Sequence, residues 1–322
     1  MLARTTMNAV FLDWLSLDQG DLDASPLLEV VDELGCFGFS HPHEVPVRLQ
    51  DVEVAIANKA LVGREAFEAA TRLRLLCVAA TGTNNVDLEA AKEHGVVVCN
   101  VQAYGTASVV QHVFGCMIAL HNRLLEADRA VRRGRWPKSR QFCLLEFPIT
   151  ELAGKTLGIV GFGALGQAVG KLAEAFGMHV LVAKRDESDT RAGRVELDEL
   201  LEKVDVLSLH CPLTDDNHQM INAERLALMK RSAFLINTAR GGLIEEEALA
   251  SALREKRLAG AALDVLSTEP PPADHPLLDT KLPNLIVTPH IAWASREARQ
   301  RIVVQLAENI RAFEDGAPRR VV

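Results

Sequence analysis

Short apolar runs alternate with stretches of helical periodicity along the chain, and this alternation is the first indication of its fold. Before residue 100 the pattern predicts strands at 8–12, 52–57, 73–79 and 96–99, and helices at 27–34, 64–70 and 87–94. Strands that are apolar throughout and separated by helices are typical of parallel sheets covered on both faces. This part of the chain is therefore predicted to be a small α/β domain.

A long helical stretch at 106–133 follows, and it is apolar on more than one face. Such a helix is expected to be buried between domains or subunits. Beyond an irregular arm, six strands separated by helices are predicted at 156–160, 179–183, 206–210, 233–237, 260–265 and 285–288. This succession predicts one doubly wound parallel sheet of the Rossmann type. A last helix at 295–313 lies outside the six strands and is expected to return to the first domain.

A glycine-rich turn follows the first of these six strands. Gly161, Gly163 and Gly166 have the spacing Gly-x-Gly-x-x-Gly, and a helical stretch comes directly after them. In a dinucleotide-binding unit the first glycine allows a tight turn, the second lets the backbone approach a pyrophosphate, and the third lets the helix pack on the strand. The helix N-terminus then attracts the phosphates. We therefore predict that this domain binds a dinucleotide.

Bulk composition narrows the class of protein. The chain has 322 residues, which suits about two domains, and a formal net charge of −8, which argues against nucleic acid as a partner. No run resembles a membrane span or the long apolar core of a signal peptide, so a cytoplasmic location is expected. The six cysteines form no C-x-x-C pair and are expected to be buried thiols.

The end of the second strand of the doubly wound sheet bears on the choice of coenzyme. An acid at this position normally holds the adenosine ribose diol, but Lys184 and Arg185 occupy it here. Two cations could instead pair with the 2′-phosphate of NADP. The alternative is a solvated strand end at which Asp186 holds the diol, so NAD or NADP stays open, with NADP slightly favoured.

Three residues that could carry chemistry follow strands of the same sheet. Arg240, Glu269 and His290 each come after a predicted strand, and carboxyl ends of parallel strands face the ligand crevice. An arginine can hold a carboxylate bidentately, and an imidazolium oriented by a carboxylate can protonate a carbonyl oxygen as hydride arrives. Taken singly, the arginine could be part of a structural ion pair and the histidine could be structural. Together they predict a site for 2-keto acid reduction, and no metal site is expected.

The chain resembles the D-isomer-specific 2-hydroxyacid dehydrogenase family over nearly its whole length. Beyond the glycine turn, the resemblance rests on His210-Cys211-Pro212-Leu213-Thr214, Asn237-Thr238-Ala239-Arg240-Gly241, Ala262-Leu263-Asp264-Val265 with Glu269-Pro270, and Thr288-Pro289-His290. Segments such as Asn58-Lys59, Gly134-Arg135-Trp136 and His290-Ile291-Ala292-Trp293-Ala294 are most similar to the glycerate dehydrogenase (hydroxypyruvate reductase) branch.

The resemblance implies a role for each site residue. Arg240 would bind the substrate carboxylate and carbonyl, His290 would be the general acid and base, and Glu269 would keep His290 protonated and oriented. Further substrate contacts are implied at Lys59, Thr81, Gly82, Thr83 and Trp136. Cofactor contacts are implied at Thr106, Gly161, Gly163, Ala164, Leu165, Gly166, Lys184, Arg185, His210, Pro212, Thr214, Thr238, Ala239 and Asp264.

The resemblance also implies an architecture. Residues 1–103 and 292–322 would form a smaller flavodoxin-like α/β substrate domain, and residues 104–291 the dinucleotide-binding domain with a dimerisation helix and arm. Such enzymes are homodimers, and Trp136 would reach the partner's active site.

The activity expected is reduction of hydroxypyruvate, or glyoxylate, to the D-2-hydroxy acid. The alternatives left open are another D-2-hydroxy acid and a nucleotide-sensing binding protein built on the same fold.

Overall fold

The computed structural model describes residues 7–186, 188–282 and 284–322. The chain divides into two compact units, one of Met1–Gly105 with Ala294–Val322 and the other of Thr106–Trp293. These divisions fall after residues 105 and 293, whereas the sequence predicts them after 103 and 291.

The first unit contains a five-stranded parallel sheet. Its strands are β1 (Asn8–Phe11), β2 (Glu33–Cys36), β3 (Val54–Ala57), β4 (Leu75–Val78) and β5 (Val97–Cys99). Its first helices are α1 (Ser25–Leu28), α2 (Val45–Arg48), α3 (Arg64–Ala69) and α4 (Leu88–Glu93). The strand order is β2-β1-β3-β4-β5, the flavodoxin-like order expected for this domain.

The predicted helix at 27–34 is wrong. Helix α1 ends at Leu28, and strand β2 begins at Glu33, before the predicted helix would end. Glu33 pairs with Asn8 of β1. Strand β2 is at the edge of the sheet and mostly exposed, with one half-buried residue among its four. A strand with so little burial shows no continuous apolar run, which is why the sequence pattern did not indicate it.

The second unit contains a seven-stranded parallel sheet. Its strands are β6 (Thr156–Val160), β7 (His179–Ala183), β8 (Arg194–Val195), β9 (Val206–Leu209), β10 (Phe234–Asn237), β11 (Gly260–Leu263) and β12 (Leu285–Val287). Its helices are α5 (Thr106–His121), α6 (Leu124–Arg132), α7 (Ala164–Ala175), α8 (Leu197–Lys203), α9 (Ala223–Leu228) and α10 (Glu246–Arg254). The order β12-β11-β10-β9-β6-β7-β8 confirms the doubly wound Rossmann fold, with one more strand than predicted, the two-residue β8.

Successive residues of the central strands enter two different apolar layers. Leu207 and Leu235 pack with α8, α9 and α10, whereas Val206 and Ile236 pack with α5 and α7. This alternation follows from the two-residue repeat of a strand and explains why the strands are apolar throughout.

The predicted helix at 106–133 is in fact two helices. Arg123 adopts a left-handed conformation with φ of 53° between α5 and α6. Neither glycine nor proline marks this break, so the sequence pattern continues through it.

The last helix, α11 (Arg296–Glu314), belongs to the first unit and packs against α1 and β4. Ser295 caps it by accepting a hydrogen bond from the Ala298 N–H at 3.2 Å. The six cysteines are free thiols, but the expectation that they are buried holds only for Cys77, Cys99 and Cys116, because Cys36 is exposed and Cys143 and Cys211 are partly buried. Among the residues that the structure describes, no helix combines the length and the apolar character needed to cross a membrane.

Candidate active site

The glycine turn lies at the topological switch point of the second sheet. Strand β6 pairs with β7 on one side and with β9 on the other, and the chain leaves in opposite directions from this point. Ligands of open α/β sheets bind outside the carboxyl ends of the strands at such a point. The turn after β6 therefore has the position that a dinucleotide site requires.

Close backbone contacts explain two of the three fingerprint glycines. Gly161 has φ of +90°, and a Cβ there would lie 2.5 Å from the Cys211 nitrogen of the loop after β9. A Cβ on Gly166 would lie 2.2 Å from the Gly161 carbonyl oxygen. Gly163 differs, because nothing lies within 4 Å of its Cβ position. Open space next to the N-terminus of α7, which begins at Ala164 and Leu165 without a side-chain cap, fits a bound pyrophosphate.

Substitutions at Gly166 and Gly163 are therefore expected to have different effects. Gly166→Ala is expected to lower the free energy of unfolding by roughly 1–3 kcal/mol or more, because the methyl group overlaps backbone. Gly163→Ala should keep the thermal midpoint, because its φ is −75° and the space is open. It should instead raise the coenzyme KM about tenfold, since the methyl group occupies the pyrophosphate position. Thermal unfolding without coenzyme and steady-state kinetics separate the two effects, and equal midpoints for both variants would contradict this account.

Two side chains at the carboxyl end of β10, Asn237 and Thr238, bear on whether a ligand fits this edge. The Thr238 hydroxyl is buried and has no hydrogen-bond partner among the described residues. The buried Asn237 side chain donates to the Arg240 carbonyl at 2.9 Å and accepts from the Ala239 N–H at 2.9 Å, which fixes the loop. An unsatisfied buried hydroxyl beside a rigid loop is consistent with a ligand group that would complete its hydrogen bonding.

The loop after β9 holds the predicted contacts His210, Pro212 and Thr214. Burial lowers the pKa of His210 to about 4, so its ring is neutral at pH 7, and its Nε2 lies 2.8 Å from the Ser208 hydroxyl. Thr214 begins a capping box with Asn217, whose side chain also donates to the Pro212 carbonyl at 2.8 Å. These hydrogen bonds fix the conformation of the loop beside the glycine turn. Because His210 is neutral, it adds no positive charge there.

Both cations at the end of β7 already have acidic partners. The Lys184 ammonium pairs with Glu196, which raises the pKa of Lys184, and the Arg185 Nε lies 2.6 Å from Asp186. The Arg185 side chain is nevertheless 77% exposed, so it can turn to a new anion at little cost. The contact of Lys184 and Arg185 with a 2′-phosphate stays a prediction, and a 2′-phosphate would have to compete with Glu196 and Asp186.

The Arg240 guanidinium is exposed at the carboxyl end of β10. Its described side-chain hydrogen bond is from Nη1 to the Ala239 carbonyl at 2.7 Å, and no carboxylate of the described residues pairs with it. The neighbouring Gly241 lies against the loop after β11, where a Cβ would be 1.9 Å from the Leu266 carbonyl carbon. A structural ion pair does not account for this arginine, and its fork of donors is available for an anion.

Glu269 and His290 are in direct contact. The Glu269 Oε2 lies 2.6 Å from the His290 Nδ1, and the Glu269 Oε1 accepts the Leu266 N–H at 2.9 Å. Both side chains are about one-third exposed, at 35% and 33%. The carboxylate thus fixes the plane of the imidazole through Nδ1 and leaves Nε2 for a substrate atom.

Three strand ends therefore bring the predicted catalytic residues to one edge. Arg240 follows β10, Glu269 follows β11 and His290 follows β12, and these strands are neighbours in the sheet. The loops are linked through the Gly241–Leu266 contact and the Glu269–Leu266 hydrogen bond. The sequence missed Asn237 as the clamp of the Arg240 loop, although a buried polar residue at the last position of an apolar strand is a detectable signal.

Asp264 lies at the same edge with a buried carboxylate. Its Oδ1 accepts the Thr288 hydroxyl at 2.6 Å and the Ile291 N–H at 2.9 Å, and its Oδ2 accepts the Ala292 N–H at 2.8 Å. These contacts hold the segment that contains His290. The cofactor contact implied for Asp264 stays a prediction.

The other predicted contacts lie in different places. Lys59 follows β3 and Thr81, Gly82 and Thr83 follow β4, so within the first unit they share the carboxyl edge of their own sheet. The Lys59 N–H donates to the buried Asp13 carboxylate at 2.5 Å, and the Thr81 hydroxyl donates to the Val101 carbonyl at 2.9 Å. In the second unit, Thr106 is the first residue of α5. Trp136 is 50% exposed in the arm, where its Nε1 donates to the Phe142 carbonyl at 2.8 Å.

Comparison with known proteins agrees with this geometry. Residues 114–292 match the family described as D-isomer specific 2-hydroxyacid dehydrogenase, NAD binding domain. The chain is 45% identical to glycerate dehydrogenase of Methylorubrum extorquens over 98% of its length and 99% of that protein. It is 39% identical to hydroxypyruvate reductase of Blautia hydrogenotrophica over 98% of this chain and 99% of that protein. An acyclic imino acid reductase solved with NADPH and D-Arg superposes with a TM-score of 0.85 at 31% identity, covering 98% of this chain and 100% of that one.

The chain therefore belongs to the D-isomer-specific 2-hydroxyacid dehydrogenase family, as its motifs predicted.

Proposed function

We propose that the protein reduces hydroxypyruvate to D-glycerate, and glyoxylate to glycolate, with a nicotinamide dinucleotide as hydride donor. The observation that carries this proposal is the Glu269–His290 contact of 2.6 Å at the strand ends next to an exposed Arg240. Reduction of a 2-keto acid requires a proton donor and a cation that binds the carboxylate. An imidazole oriented by a carboxylate, and an arginine with no acidic partner in the described part of the chain, can serve as these two groups. The names of the two relatives above support the choice of substrate.

In the proposed reaction each of the three side chains has a distinct task. The Arg240 guanidinium holds the substrate carboxylate and the keto oxygen through its fork of donors. The His290 Nε2 would give its proton to the keto oxygen, and a coenzyme held at the glycine turn would supply hydride to the keto carbon. Glu269 holds the ring through Nδ1, so that Nε2 faces the oxygen. One hydride and one proton would convert the keto group of hydroxypyruvate to a secondary alcohol, or the aldehyde group of glyoxylate to a primary alcohol, and the reverse steps would oxidise the product.

The remaining site residues keep their proposed roles. Lys59, Thr81, Gly82 and Thr83 are proposed to contact the substrate, and what supports this is that they follow strands at the carboxyl edge of their own sheet. The glycine turn, with Ala164 and Leu165 at the start of α7, is proposed to hold the pyrophosphate.

We propose NADPH as the preferred coenzyme. Two cations at the end of β7 support this choice, because a carboxylate at that position would repel a 2′-phosphate. The ion pairs with Glu196 and Asp186 oppose it, so the expected preference is modest.

We also propose a homodimer assembled through α6 and the arm that follows it. Several large apolar side chains of this region are exposed in the single chain: Leu124, Leu125, Val131, Phe142, Leu145 and Ile149. Large apolar side chains that are exposed on one helix and on the arm that follows it support an interface in this region. The expected cytoplasmic location stays a prediction.

Wild-type activity is the test of the function. Oxidation of NADPH or NADH, followed at 340 nm with hydroxypyruvate, is expected to exceed about 1 s⁻¹, with a lower KM for NADPH. Glyoxylate, pyruvate and a branched 2-keto acid in the same assay define the substrate. Tight coenzyme binding without turnover on any of these acids would favour a nucleotide-sensing binding protein instead.

A further inference from the structure

Three donors hold the Asp264 carboxylate, which is only 3% exposed. The Thr288 hydroxyl and the Ile291 and Ala292 N–H groups all donate to it. Backbone N–H groups can only donate, and the Thr288 hydroxyl is the donor in its contact with Oδ1, so the carboxylate accepts all three hydrogen bonds. Asp264 is therefore purely an acceptor in this network.

The direction of the next hydrogen bond follows from this. Thr288 has a single hydroxyl proton, and the 2.6 Å contact with the Asp264 Oδ1 uses it. The His112 Nε2 lies 3.1 Å from the same hydroxyl oxygen, which can then only accept. His112 must therefore carry a proton on Nε2, and that N–H also lies 3.7 Å from the Asp264 Oδ1.

The hydrogen bonds to Asp264 come from residues on both sides of His290, the proposed general acid, in the sequence. His290 lies between Thr288 and Ile291, both of which donate to Asp264, and its own N–H donates to the Asp264 carbonyl at 2.8 Å. His290 has φ of 55°, a conformation that a non-glycine residue adopts only where its surroundings determine it. The direction of its imidazole thus depends on the anchors on either side.

Two side chains of helix α5 form hydrogen bonds to the segment that contains His290. Ser108 and His112 are four residues apart, so they lie on the same face of the helix. The Ser108 hydroxyl donates to the Ala292 carbonyl at 2.6 Å, and His112 reaches Thr288. One helix face therefore contacts the segment on both sides of His290.

We propose that His112 is a positioning residue for the reaction, which acts on His290 through Thr288 and Asp264. This proposal rests on the proposed function, because it takes His290 to be the proton donor. The His112 Nε2–H fixes the Thr288 hydroxyl toward Asp264, and Asp264 in turn holds the backbone from which the His290 imidazole extends. Without this donor the Thr288 hydroxyl can rotate, and Asp264 loses one of its three donors.

Three substitutions at one position separate a hydrogen bond from packing. In His112→Gln the amide nitrogen can occupy the place of Nε2 and donate to Thr288. In His112→Asn the amide is too short and corresponds to Nδ1 instead. His112→Leu keeps much of the volume and removes the donor. We expect single-turnover hydride transfer to fall about tenfold in the Leu and Asn variants, because small misplacement of a catalytic group is costly, and to stay within about threefold in the Gln variant.

A double substitution distinguishes positioning from general loss of structure. If His112 acts only through His290, then His112→Leu should cause no further loss in a His290→Asn background, because coupled substitutions are not additive. An equal tenfold loss in both backgrounds would overturn the proposal, as would equal rates for the Gln and Leu variants.

A spectroscopic measurement makes the outcome independent of turnover. The proton between His290 and Glu269 is expected to give a low-field imidazole N–H resonance in protein labelled with ¹⁵N-histidine. This resonance should persist in the Gln variant and broaden or vanish in the Leu variant at equal thermal midpoint. An inactive wild type with this pattern would contradict the proposed function alone, whereas an unchanged resonance in the Leu variant would contradict the role of His112.

Discussion

Replacing Arg240 with alanine is expected to reduce kcat/KM for hydroxypyruvate by about 10³-fold or more, below routine detection. Two charge-assisted hydrogen bonds to the substrate are lost, each worth roughly 1.5–3 kcal/mol, and about 1.4 kcal/mol corresponds to a factor of ten. The guanidinium has no ion pair among the described residues and is exposed, so its removal should leave the thermal midpoint unchanged. Initial rates and thermal unfolding measured on the same preparation test both statements.

Two further variants define what the loss means. Arg240→Lys keeps the charge but not the planar fork, so an intermediate activity is expected. Arg231→Ala removes an exposed arginine that precedes β10, at the opposite end of the same strand, and should have no effect. Activity of Arg240→Ala within about threefold of wild type would exclude the proposed role of this arginine.

Replacing His290 with asparagine is expected to lower the rate of hydride transfer by about 10²-fold or more, the usual contribution of a general acid. Asparagine is the suitable replacement because it tolerates positive φ, and His290 has φ of 55°. Its amide can also keep the contact with Glu269. The measurement is stopped-flow absorbance at 340 nm under single-turnover conditions, with the thermal midpoint as control.

Glu269→Gln should give a smaller loss, about tenfold. The two oxygens of Glu269 accept separately from the Leu266 N–H and the His290 ring, and a glutamine has only one oxygen for both. One contact must therefore break, or the imidazole must change tautomer.

If His290→Asn turned over at the wild-type rate, the proton would have to come from another group.

The sequence could predict the sheet edge and the pairing of Glu269 with His290, but not the hydrogen bonds that hold the loops at this edge. Arg240, Glu269 and His290 were predictable because each follows an apolar strand, and parallel strands end at one edge. The Thr288–His112 hydrogen bond joins residues 176 positions apart, and no local pattern indicates it. Histidine on an apolar helix is usually structural, so His112 had no signal of its own.

The sequence did not predict those local structures that are not formed by burial of apolar side chains. Strand β2 is mostly exposed, and β8 is a strand of only two residues that pairs with β7. The break at Arg123 lies within a continuous helical pattern, since a single left-handed residue changes the direction of the chain without altering its composition. Buried strands such as β9 and β10 were predicted within one residue at each end because their burial is complete.

The position of α11 also has a consequence for synthesis. This helix packs on β4, all four residues of which are buried, yet more than two hundred residues separate them along the chain. Because a polypeptide emerges from the ribosome amino end first, the whole of Thr106–Trp293 is made while β4 still lacks this cover. A nascent chain stalled before Ala294 would therefore expose an apolar surface that is prone to aggregation, because β4 depends on α11 to cover it.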